Sequence, residues 1–197
     1  MILEGIVTTI SAAGAVNIAP MGPHVECDAT TGLWTRLTLR PYRTAQTFAN
    51  LMEHGEGVLH VTDDVMLLAQ SALGALDPLP ALRPATLVRG WVLADACRFY
   101  EFHVVSCDDR SERARFEAEI VHRGRLRDFF GFNRAKHAVI EAAILATRTA
   151  FVSLDEIESE YRKLAVLVDK TGGAQEHAAF AFLRRYLQQI VQSEPRP

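Results

Sequence analysis

The rhythm of apolar and polar positions changes part-way along the chain, near Arg125. Before that point the pattern is one of strands with short helices between them. Residues 2–10 are β-branched and Thr-rich, and Gly14 turns the chain into a second strand over 16–20. Pro20 and Pro23 have no amide to donate to a ladder, so that strand belongs at or near a sheet edge. Residues 34–39 alternate, Trp34, Arg36 and Thr38 against Thr35, Leu37 and Leu39, the period-two signature of a strand with unlike faces. Residues 44–54 predict a helix with Phe48, Leu51 and Met52 on one face and Gly55 as its stop. The apolar run 57–62 predicts a central strand, after which Asp63 and Asp64 can cap a helix carrying Val65, Leu67, Leu68 and Ala69. Pro78, Pro80 and Pro84 make 74–84 a loop. Strands over 98–106 and 115–123 flank the polar turn at Asp108 and Asp109, which predicts an antiparallel hairpin.

Beyond this the period becomes helical, over 133–147, 154–168 and 175–192. Asp155 and Glu156 sit in the first turn of the middle helix, where the backbone dipole favours them. Gly172 and Gly173 separate the last two helices, and the tail 193–197 is expected to fray. There is no internal repeat. This order predicts a mainly β fold with α, an antiparallel β-barrel followed by a C-terminal helical section, not βαβ winding. The division falls at 1–125 for the barrel and 126–197 for the helices.

Composition narrows the class. With 49% hydrophobic and 23% charged residues in 197, and ordinary Gly and Pro usage, the chain can bury a sizeable core. A net charge of −3 gives no general reason to bind nucleic acid. No apolar run approaches the roughly 20 residues of a membrane span. The first residues lack a basic region followed by an apolar core, so no secretory signal is expected. Three cysteines without C-x-x-C spacing suit a reducing cytoplasm and argue against a disulfide scaffold or a Cys-rich metal site.

Three stretches could carry chemistry. Asn17-Ile18-Ala19-Pro20-Met21-Gly22-Pro23 suits a strand end lying against a flat ligand, with Gly22 permitting close approach; it equally suits a turn that ends an edge strand. In Arg40-Pro41-Tyr42-Arg43-Thr44-Ala45-Gln46-Thr47 a strand gives way to a helix. Its first-turn amides, two hydroxyls and Arg40 or Arg43 would together receive a phosphate, although an N-cap Thr beside two solvated arginines has the same sequence. The third, Gly131-Phe132-Asn133-Arg134-Ala135-Lys136-His137, opens a helix on which Arg134, Glu141 and Arg148 recur every seven residues. With apolar neighbours nearly all round, these predict a buried ion-pair stripe or dimer contact, unless Arg134 or His137 reaches a substrate. No pair of the seven histidines has zincin spacing and no metal site is expected. His60, on its central strand, suits a satisfied core imidazole better than a ligand. No P-loop, G-x-G-x-x-G or G-x-S-x-G pattern occurs. Asp63 and Asp64 are explained by capping, and Lys170-Thr171-Gly172-Gly173 by an ordinary helix end.

The motifs E-G-I-V-T-T, N-I-A-P-M-G-P, L-R-P-Y-x-T-x-x-T-x-x-N-L and H-V-T-D-D run in that order. Downstream come G-F-N-R-A-K-H-A-V-I-E-A-A-I-L-A-T-R and D-K-T-G-G. This set resembles the domain-of-unknown-function family 447, relatives of the flavin reductases with an FMN-binding split β-barrel, over nearly the whole chain. The resemblance implies a split barrel that dimerises, with FMN in grooves at the subunit interface. Ala19, Pro20, Met21 and Gly22 would border the isoalloxazine, Arg40, Thr44 and Thr47 would hold the phosphate, and Asn17 would add a polar contact. Asn133, Arg134 and Lys170 would close over flavin or substrate. Ala45 and Phe48 stand where relatives often have Ser and Tyr, which removes two polar contacts. The function implied is a flavin-dependent oxidoreductase passing electrons between a small-molecule donor and acceptor. The alternative is a protein that carries FMN, or another flat phosphorylated cofactor, without turnover. No residue stands out as a catalytic acid or base; His60 and His137 qualify by residue type alone.

Overall fold

The computed structural model describes residues 1–193, so the expectation for the tail lies, apart from Ser193, outside the described residues. The described residues divide into two compact units, one of Met1–Thr62 with Pro78–Phe129, the other of Asp63–Asp77 with those from Phe130 on.

The first unit is built on one antiparallel sheet of seven strands. In chain order these are β1 (Gly5–Ile10), β2 (Val16–Met21), β3 (His24–Cys27), β4 (Trp34–Leu39), β5 (Glu56–Val61), β8 (Arg98–Asp108) and β9 (Arg115–Arg125). Their spatial order is β2-β1-β5-β8-β9-β4-β3. Pro20 therefore lies on an edge strand, as its missing amide requires. The expected hairpin is β8–β9, whose register pairs Arg98 with Arg125 and Tyr100 with Arg123. Strand β3 has only four residues, one of them buried, too short a pattern to read from sequence. It meets the N-terminal segment through the Ile2–His24 bridge, and the Val25 amide donates to the Met1 carbonyl at 2.9 Å.

Strand alternation sorts the first unit's core into two layers. Val7, Leu37, Leu39, Leu59, Tyr100, Phe102 and Phe116 project to one face, where Leu51 of helix α1 (Gln46–His54) joins them. On the opposite face Val58 and Phe99 meet Val88 and Val92. Those two valines belong to a small antiparallel pair, β6 (Leu82–Pro84) with β7 (Trp91–Leu93), and the segment joining its strands. This pair corrects the expectation of plain loop up to Pro84; three-residue strands containing Pro84 carry too little pattern to be legible. The segment is held down by the buried Glu101 carboxylate, which accepts from the Thr86, Leu87 and Val88 amides at 2.8, 2.6 and 3.2 Å. Gly124 is required here because a Cβ would overlap the Phe99 ring.

The second unit is helical: α2 (Val65–Ala72), α3 (Arg134–Ala146), α4 (Leu154–Thr171) and α5 (Ala174–Ser193). Asp64 caps α2 through the Leu67 amide at 2.9 Å, as its position predicts. Helix α3 does not carry the expected buried ion-pair stripe: Arg134, Glu141 and Arg148 are all exposed. The seven-residue spacing does place Arg134 and Glu141 on one face, but that face is the solvent face, and Arg148 lies past the helix end. Ala135, Ala138, Val139, Ala142, Ala143 and Ala146 form the buried face, and their small side chains allow close helix approach. The Tyr161 hydroxyl of α4 donates to the Ala142 carbonyl at 2.6 Å, so α3 and α4 are pinned as well as packed.

Candidate functional site

Strand β2 and the start of α1 bring the first two candidate stretches together. The segment before α1 is fixed from outside: the Arg43 amide donates to the Glu112 carbonyl and the Ala114 amide to the Pro41 carbonyl, both at 3.0 Å. Arg113 stacks over the Tyr42 ring at 4.3 Å. With 41–43 held, Arg40 and Thr44 are left exposed on either side of the bend. Helix α1 begins at Gln46, two residues later than the sequence suggests, because Thr44 lies in the preceding turn. Ala45 occupies the N-cap and makes no side-chain cap bond. An N-terminus of this kind keeps the partial positive charge of its first-turn amides available to an anion.

Behind it lies a polar relay between β1, β2 and α1. Asn17 Nδ2 donates to Thr47 Oγ1 at 3.0 Å and to Thr9 Oγ1 at 3.3 Å. Asn50 Nδ2 donates to the same Thr9 hydroxyl at 2.9 Å, and Gln46 donates to Asn50 Oδ1 at 2.7 Å. Thr47 is 2% exposed, so Thr47 and Asn17 are joined to each other while Thr44 faces outward. From Asn17 the strand runs through half-buried Ala19, exposed Pro20 and half-buried Met21, about 13 Å of edge at ordinary strand rise. Ala19 pairs with Val7 and Met21 with Gly5. Gly22 is explained by the protein itself: a Cβ there would sit 2.9 Å from Ile2 Cγ2 and 3.3 Å from a Glu4 carboxylate oxygen.

The second unit treats its candidate residues differently. Asn133 is the N-cap of α3, its Oδ1 accepting from Ala135 and Lys136 amides at 2.8 and 3.1 Å, while its Nδ2 donates to the Thr171 carbonyl at 3.0 Å. It thus ties the start of α3 to the end of α4, beside Lys170. Lys170 and Arg134 are exposed. The neighbouring Lys136, not singled out by any pattern, is half-buried and fully engaged: its ammonium lies 2.7 Å from Glu176 and donates to the Asp63 carbonyl at 2.7 Å. Burial pushes the Glu176 carboxyl up, but Lys136 and the Gly173 amide outweigh it and hold it below its ordinary value. Gly173 donates to Glu176 at 2.8 Å, the backward half of a capping box, so the Gly172-Gly173 turn is the helix end expected.

His60 is the satisfied core imidazole its strand predicts. Nδ1 donates to the Ile6 carbonyl at 3.1 Å, and Nε2 accepts from the Leu93 amide at 3.1 Å. Burial first, with a smaller push from Arg83, lowers its pKa to about 4 against the Ile6 bond, so it is neutral at pH 7. His137 is exposed and meets the Phe132 ring edge-on.

The fold has well-defined likenesses. An FMN-bound protein from Methanosarcina mazei superposes with a TM-score of 0.77 at 21% identity, over 94% of each chain. The 2-nitrobenzoate 2-nitroreductase of Pseudomonas fluorescens gives 0.52 at 18% identity, over 62% of this chain and 64% of that one. Flavoredoxin from Methanosarcina acetivorans gives 0.52 at 13% identity, over 63% and 68%. Two family models match the sequence itself, an N-terminal domain over residues 3–127 and its companion over 133–185. The chain belongs to the family of proteins of unknown function designated DUF447.

Proposed function

We propose that this chain is an FMN-binding flavoprotein whose phosphate site is the start of α1. The observation that carries the reading is the open N-cap at Ala45, flanked by exposed Arg40 and Thr44 and backed by the Asn17–Thr47 bond. This donor set fits a phosphomonoester, since a guanidinium, a hydroxyl and helix amides would together receive one anion. The edge from Asn17 to Met21 then offers Ala19, Pro20 and Met21 to the isoalloxazine, with no Pro20 amide left unsatisfied. Gly22 serves by letting the edge approach Ile2 and Glu4, which shapes that border. The M. mazei relative, described as FMN-bound and alike over nearly the whole chain, supports the choice of cofactor.

The finer architecture belongs to the same proposal. The Ile2–His24 bridge supports closure of the seven strands into a split barrel. A homodimer with flavin at the subunit interface would cover the β2 edge, where Pro20 is exposed. When bound, FMN supplies the electron chemistry, and the chain's part is to bind, orient and shield it. The activity proposed is that of an oxidoreductase passing electrons between a small-molecule donor and acceptor. A carrier without turnover is the second reading, favoured by one observation: both nitrogens of His60 are engaged, and it offers no proton.

FMN titration tests the site. Replacing Arg40 and Thr44 together by Ala should weaken FMN binding tenfold or more, since bonds to a charged group are worth about 1.5–3 kcal/mol each, with the melting temperature of the apoprotein nearly unchanged. Equal loss of both would make this block a fold element only. Bleaching of bound flavin by NAD(P)H supports the reductase; a flavin that no donor reduces supports the carrier. A protein that takes up no FMN ends both.

A further inference from the structure

The first unit contains a cavity that the flavin reading does not use. It measures about 420 Å³, within the size range of small-molecule sites, and lies where β8 begins and β9 ends. Its walls include Trp34, Arg98, Tyr100, Arg123, Gly124 and Arg125, with no acidic side chain among the lining residues. The ladder explains the arrangement. Arg98 pairs with Arg125 and Tyr100 with Arg123, and residues two apart share a face, so these four side chains project together. Trp34 packs on Tyr100 with ring centroids 4.8 Å apart, which gives the cavity an aromatic wall.

Three guanidinium groups in one cavity are costly without an anion. Arg98 and Arg125 stand directly opposite each other on neighbouring strands, a placement that like charges destabilise. Among the described residues Arg125 alone of the three has an acidic partner, the neighbouring Asp128. Among the described residues nothing pairs with Arg123, and its Nη1 is buried without a hydrogen-bond partner. A buried donor left unmade costs stability that a fold does not ordinarily concede. Planar guanidinium groups beside aromatic rings suit a ligand with a flat apolar body and an anionic head, which the fork of Arg123 can grip at two points.

We propose that this cavity is a binding site for a small flat organic anion, an aromatic carboxylate or aromatic phosphate ester. The anionic head meets Arg123 and Arg98, and the ring lies against Trp34 and Tyr100. The proposal is independent of the flavin site: none of Arg40, Thr44 and Asn17 lines this cavity.

Calorimetric titration of the full chain with 2-naphthoate, 2-naphthyl phosphate and the neutral 2-naphthamide tests it. At least one of the two anions should bind, and at least tenfold more tightly than the amide; whichever binds better identifies the head group. Arg123→Gln should lower that affinity tenfold or more while leaving the melting temperature equal or higher, because it removes an unpaired buried donor. Arg98→Gln, at an exposed position, should weaken the same anion and covers the case in which the first variant does not fold. FMN added beforehand should not displace the anion. The proposal is overturned if neither anion binds at millimolar concentration, or if the amide binds as well. Unchanged affinity in both variants, or displacement by FMN, overturns it too.

Discussion

The starts of α1 and α3 are both helix N-termini with basic and polar neighbours, and both sit in motifs that look ligand-facing. At α3, Asn133 accepts two first-turn amides, and Lys136, one turn in, is held half-buried by Glu176 and the Asp63 carbonyl. At α1, Ala45 caps nothing, and Arg40 and Thr44 face solvent. The two differ in how far the protein has already satisfied its own polar groups. A closed helix start stabilises the fold; an open one forgoes that stability and keeps its donors for something else. His60 belongs with the closed kind, since both its nitrogens are engaged.

The largest expected effect is therefore at the closed end. Lys136→Met leaves the Glu176 carboxylate buried without its cation and should cost on the order of 3–5 kcal/mol in denaturant unfolding. Adding Glu176→Gln should restore much of the loss, and FMN affinity should follow the folded fraction only. A large, specific loss of FMN binding in Lys136→Met would erase the distinction between the two helix starts.

Next in size is the pH response of His60. The unfolded chain takes up a proton near the ordinary 6.5, whereas the folded imidazole stays neutral down to about 4. The unfolded state thus binds more protons between those values. Stability is full above about pH 6.5 and falls as pH drops toward 4, by up to about 3 kcal/mol. Unfolding midpoints between pH 4 and 7 should show this slope, and His60→Asn should flatten it. Smaller again, Asn133→Ala should cost about 1 kcal/mol through lost capping, with flavin affinity unchanged; a larger effect on flavin would make Asn133 part of the site.

The same contrast explains what could be read from sequence. The strand at residues 34–39, the hairpin β8–β9 and the three long helices carry strong periodic signals, and the structure has them in those places, although burial along that strand does not alternate, Leu37, Thr38 and Leu39 all being buried. Asp64 and Gly55 were legible because capping chemistry is local. Strand β3 and the β6–β7 pair were not, since they are three or four residues long and exist through long-range partners. The Arg134-Glu141-Arg148 stripe misled because spacing says which residues share a face, not which face is buried. Alanine, apolar enough to fill any side of a helix in a pattern, in fact marks the packed side. The arginine cavity was hidden for a related reason. Residues 123–125 show two basic side chains on one strand face, but Arg98 and Trp34 reach them only through the sheet register.

One measurement tests the open start of α1 most directly: FMN affinity and apoprotein stability, measured together in Ala45→Asp. An Asp at this N-cap should engage the first-turn amides and stabilise the apoprotein by about 1 kcal/mol. It should also compete with and repel a phosphate there, so FMN should bind at least tenfold more weakly. A better fold with a poorer flavin site is the predicted result. A variant that gains stability and binds FMN as tightly as the unaltered chain would contradict the assignment of the phosphate to α1.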